Sequence, residues 1–209
     1  MRLGALILEN GALDAYLLWE VLKDTVWGAL ERSPLDRDRI LRSMGLAEGL
    51  IAGLSFDVKM KMVQLFSPFS QRVRLLEEKR WSLVDYPVSE LGTVIPCVGD
   101  LPPEVIQESF ISPVEYVSQN LQSDSMSVRY VRSLSRIADI LEKIPVIVIE
   151  PGSEQRRLDE MIRVWGQRDW KIHETKGYIE DGNHRALALA LSNSERTSIR
   201  CCVGRPAHD

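Results

Sequence analysis

The run Glu180-Asp181-Gly182-Asn183-His184-Arg185 places two carboxylates, an amide, an imidazole and a guanidinium within six residues. It follows Tyr178-Ile179 and precedes the apolar stretch Ala186-Leu187-Ala188-Leu189-Ala190-Leu191. That order predicts a short strand, a tight turn and a helix. Gly182 permits a sharp bend and close approach of a ligand, and Asn183 is of the type that caps a helix. The first turn of such a helix offers unpaired N–H groups and the positive end of its dipole, which favours an anion. Arg185 can give paired hydrogen bonds to a phosphate. His184 can donate to a phosphate oxygen or shuttle a proton. Asp181 can hold a metal, a substrate hydroxyl or His184 itself.

Asp181 and His184 are therefore the catalytic candidates. Gly182, Asn183, His184 and Arg185 are the candidates for phosphate or nucleotide binding, and Asp181 with Glu180 for a metal. The same residue types also build ordinary turns. Pairing of Arg185 with Asp181 or Glu180 explains them equally well at this level.

Several elements must hold this turn in place. Residues 113–118, with Val114, Tyr116 and Val117, read as a strand. Residues 124–142 read as a helix capped by Ser123 or Asp124, with Val131, Leu134, Ile137, Ala138 and Leu141 as its apolar stripe. Pro145 to Ile149 is a β-branched run suited to a strand buried on both faces. Residues 153–167 read as an amphipathic helix carrying Arg156, Arg157 and Arg163, and Ser198 to Val203 as a closing strand.

Ahead of them, residues 1–82 read as a small helical bundle. One helix spans Leu13 to Leu30. A second starts at Ser33-Pro34 and ends at Gly45, a third starts at Ser55, and a fourth runs from Ser67-Pro68 to Lys79. Prolines 87, 96, 102, 103 and 113 interrupt residues 82–113, and residues 83–109 read as a linker or a set of short strands. The expected fold class is α+β: a helical domain over 1–82, then an α/β domain with a small mixed sheet over 110–209.

Strand, Asp-Gly-Asn-His-Arg-Ala, apolar helix and a final strand ending at Val203-Gly204 resemble the ParB/sulfiredoxin superfamily over about residues 110–206. Asp181, Gly182, His184 and Arg185 match the Asp-Gly-His-His-Arg pattern of its free-serine-kinase branch, with Asn183 replacing one His. The resemblance implies a nucleotide with Mg²⁺ at this turn and, in the kinase branch, phosphoryl transfer. Sulfiredoxin chemistry is not implied, because Asn183 stands where that branch has its cysteine. The kinase branch carries an acidic residue where this chain has Gln119 and Asn120, and neither amide serves as a general base.

Composition limits the partners. The chain has 26 Lys/Arg and 30 Asp/Glu over 209 residues, a net charge of −4. Residues 96–209 alone carry 14 basic and 17 acidic groups, against the basic surplus usual in a nucleic-acid-binding domain. No apolar run approaches the roughly 20 residues of a membrane span, and residues 1–10 lack a secretory pattern, so a cytoplasmic protein is expected. Cys97, Cys201 and Cys202 do not form a disulfide framework. His173 and His208 lack metal-ligand spacing, and the tryptophans read as core or interface. Three readings follow: a nucleotide-binding protein that transfers phosphate, a metal-dependent ParB-like nuclease, or a non-enzymatic domain that binds a protein partner.

Overall fold

A computed structural model describes residues 11–66, 79–92, 100–102, 105, 110–150 and 176–206. The fold is α+β, with the first three helices ahead of a five-stranded mixed sheet. The helices are α1 (Gly11–Leu30), α2 (Arg37–Ala52), α3 (Phe56–Phe66), α4 (Ile111–Gln119), α5 (Met126–Ser135), α6 (Ala138–Leu141) and α7 (Asn183–Ser192). The strands are β1 (Lys79–Pro87), β2 (Leu91–Gly92), β3 (Val146–Ile149), β4 (Gly177–Asp181) and β5 (Ser198–Pro206). A 3₁₀ turn, Val88–Glu90, joins β1 to β2. No helix among the described residues is long and apolar enough to cross a membrane.

Strand order is β1-β5-β3-β4-β2. β5 pairs antiparallel with β1, Leu83 facing Cys202, and parallel with β3, Ile147 facing Cys202. β3 pairs antiparallel with β4, and β4 parallel with β2. All four residues of β3 are buried, as its β-branched run predicts.

Helix α1 forms where the apolar spacing predicts it. From Ala12 to Leu18 every residue is buried, a pattern no single face explains. The reason is that α1 packs against α2 and α3 and also against β1, β3 and β5. Gly11 lies against Trp81 and the Cys202 sulfur. Lys59 of α3 reaches Asp14 of α1 at 2.8 Å, both side chains almost fully buried.

Five local expectations change. Residues 113–118 form helix α4 rather than a strand. Phe110, Pro113 and Val117 supply the buried helical spacing, and Pro113 sits in the first turn, where its missing N–H costs nothing. Asp36 rather than Ser33 caps α2, accepting from the Arg39 N–H at 3.0 Å. That helix runs through Gly45 and Gly49 to Ala52, because Ala47 and Ile51 are buried beyond the first glycine and outweigh its poor propensity. The helix expected over 124–142 starts after Ser125 and breaks at Arg136-Ile137, where Arg37 donates to the Arg136 carbonyl at 3.0 Å. Finally, β1 begins at Lys79, inside the expected helical region, and pairs with β5 over nine residues.

The helix expected from Ser67 and the one over 153–167 lie outside the described residues, as do Cys97, Trp165, Trp170, His173 and His208.

Candidate functional site

The turn from β4 into α7 forms as the sequence predicts, with one change of role. Gly182, not Asn183, occupies the cap position, in the left-handed region at φ 95°. The helix therefore starts at Asn183, ahead of the expected Ala186. Asn183 is buried, and its side-chain amide donates back to the Ile179 carbonyl at 3.4 Å. No side chain caps the N-terminus of α7. A Cβ on Gly182 would stand 2.7 Å from Arg185 Nη2 and 3.0 Å from Nε, so glycine is needed for space as well as for φ.

Arg185 is 1% exposed. Its Nη2 pairs with Asp181 Oδ2 at 2.7 Å, and its guanidinium lies 4.7 Å above the Trp19 ring of α1. Burial pulls its proton affinity below the ordinary arginine value, opposed by the Asp181 charge. Nε and Nη1 have no acceptor among the described residues. Asp181 is thus committed to Arg185. Glu180 precedes it where the register of β3 with β4 shifts, Ile147 facing Asp181 and Val148 facing Ile179. Among the described residues no cluster of three His, Cys, Asp or Glu side chains suits a metal.

His184 turns away from Arg185 toward α5. Its Nε2 lies 3.0 Å from Ser127 Oγ, and its ring meets Tyr130 edge-on at 5.5 Å. Tyr130 in turn packs on Trp27 of α1. Ser127 is held by Asp100, which accepts from the Ser127 N–H at 2.9 Å and the Ser125 hydroxyl at 2.7 Å. Burial alone would raise the Asp100 carboxyl. Hydrogen bonds from the Ser127 hydroxyl and amide and the Ser125 hydroxyl outweigh it and bring the group down to about 2. Burial also lowers His184 to about 4, only partly opposed by Asp100, so the imidazole is neutral at pH 7.

His184 Nε2 and Ser127 Oγ share one hydrogen bond, in which either can donate depending on the imidazole tautomer. Nε2 is thereby engaged by α5, and Nδ1 is the other ring nitrogen.

His184 is the second residue of α7 and Ser127 the second of α5, so the two helices bring their N-termini together. The α5 end is satisfied by Asp100 and by Ser125, whose Oγ accepts from the Val128 N–H at 3.3 Å. Asp100, Ser125, Ser127, Tyr130 and Trp19 escape a sequence reading of the site. Asp100 is 27 positions from Ser127, and no local pattern announces that contact. The serine-rich run 123–127 carried the only signal, as a helix cap. Asn120, where the kinase branch has an acid, ends α4 with its amide donating to the Tyr116 carbonyl at 2.8 Å. Both cysteines of β5 are buried thiols; burial, opposed by Arg185 and Arg200, holds Cys202 at about 12. Compared with protein-family models, curated proteins and solved structures, the chain matches none.

Proposed function

We propose that the β4–α7 turn binds a phosphate-bearing ligand, a nucleotide by the resemblance to the ParB/sulfiredoxin superfamily. One observation carries this reading: Arg185 is buried with two donor nitrogens, Nε and Nη1, unmet among the described residues, beside a left-handed glycine at a helix N-terminus that no side chain caps. Unmet buried donors cost free energy, and an oxyanion on that helix end would satisfy them. A ligand group that reaches His184 would meet Nδ1, since Nε2 is engaged by Ser127. Mg²⁺ would accompany the phosphate rather than be held by Asp181, which is engaged by Arg185. Binding, rather than phosphoryl transfer, is the proposal, because Asp181 and Asn120 are both engaged elsewhere.

A second reading rests on the same guanidinium. Full burial, the Asp181 pair and stacking on Trp19 also describe a staple that fastens α7 to α1. Backbone-amide NMR of the full chain, titrated with inorganic phosphate, ADP and ATP with and without Mg²⁺, separates the two. Ligand binding predicts saturable shifts at residues 126–128 and 182–186, weakened about tenfold in Arg185→Lys, which keeps the charge and loses the fork. Silence at those amides up to millimolar ligand rejects the binding site and leaves the staple.

A further inference from the structure

Helix α7 is ten residues long, and its two ends differ in kind. At the C-terminal end, away from the Asp181–Arg185 turn, lies a cavity of about 450 Å³ between α4, the 3₁₀ turn and the α7–β5 loop. Its size falls within the range of small-molecule sites, about 300–1,000 Å³. Val88, Ile111, Val114 and Leu191 give it an apolar wall.

Charge sets what the rest of the wall accepts. Asn193, the C-cap of α7, lines the cavity, so the C-terminus of that helix borders it, while α4 lies along it with the face Ile111, Val114, Glu115 and Ser118. Helix α7 has no basic residue in its last turn to offset the negative end of its dipole. Glu115 also lines it, exposed and without an ion-pair partner among the described residues. The one cation on the wall, Arg196, is already neutralised by Glu142. An apolar floor beneath uncompensated negative charge fits a positive head on an apolar body.

We propose that this cavity binds a small organic cation, an ammonium carried on an apolar chain. The site is independent of the phosphate reading: it lies at the other end of α7 and uses none of the same side chains.

The probe series is hexylammonium, hexanol and hexanoate, equal in length and different only in head group. Titrated into the full-length, isotope-labelled chain, hexylammonium should give saturable amide shifts at residues 88–89, 111–118 and 190–197. Hexanol should bind more weakly and hexanoate weakest. Glu115→Gln should weaken hexylammonium about two- to fivefold, the scale of one exposed charge contact, and Glu115→Lys should abolish saturation. Glu115 is exposed, so unchanged melting temperatures will show that both variants fold. Equal affinity for the three probes, an affinity for hexylammonium unmoved in Glu115→Lys, or shifts outside those residues would overturn the assignment.

Discussion

His184 is the residue whose behaviour departs furthest from its type, and the cause is its surroundings. Burial lowers it from 6.5 to about 4, with Asp100 opposing only in part. Between those two values the unfolded chain binds a proton that the folded chain refuses. Stability contributed by the neutral ring is thus complete above about pH 6.5 and falls as the solution is acidified toward pH 4. Asp100 acts in the same direction at lower pH, since its folded value of about 2 lies below the ordinary 3.8. Urea unfolding near neutrality and again at about pH 4.5 should show a loss of roughly 2 kcal/mol. In His184→Gln that difference should largely disappear. A variant that keeps the full difference would assign the proton uptake to another group.

At the scale of elements, the strand-to-helix turn is held by fit rather than by a capping side chain. Gly182 supplies both the left-handed backbone at φ 95° and the space in which the Arg185 guanidinium lies. Gly182→Ala should therefore cost about 1–2 kcal/mol for the backbone alone, and more because the new methyl displaces a buried ion pair. Denaturant melts of Gly182→Ala, Arg185→Met and the double variant test this argument. The double variant should be less destabilised than the sum of the singles, because the methyl no longer meets a guanidinium. Strict additivity would show that the close approach carries no energy. The turn itself was legible in the sequence: strand, glycine and apolar helix appear in that order. The role of Asn183 was not, because only the observed φ values show the helix starting one residue after the glycine.

The described residues share one buried cluster that runs from Ala12 in α1 to Val203 in β5. Composition and proline spacing suggested a helical unit followed by a linker, and periodicity alone cannot reveal that α1 faces two sets of partners. Arg185 of α7 lies over Trp19, Arg136 donates to the Leu30 carbonyl at 3.2 Å, and Cys202 of β5 meets Gly11. Each contact joins the N-terminal helices to an element of the later half of the chain. A chain starting at residue 79 should thus lack a cooperative thermal transition and bind a dye for exposed apolar surface. The full chain should unfold in one transition, with tryptophan fluorescence and far-ultraviolet circular dichroism coinciding. A truncated chain that melts sharply would establish the two units as separable.

The sequence by itself determined the elements whose signals are local: α1 by its apolar spacing, β3 by its β-branched run, and the turn at Gly182 by a glycine between a strand and a helix. It also put the guanidinium, imidazole and carboxylates of that turn within reach of one another. Only the tertiary structure decided which of two uses each group serves. Asp181 turns to Arg185, His184 turns to a serine 57 positions away, and Trp19 closes over the guanidinium from α1. The physical reason is that a hydrogen bond or a stacked charge needs a partner at a fixed distance and angle. When that partner comes from a remote segment, only the packing of whole elements brings the two together.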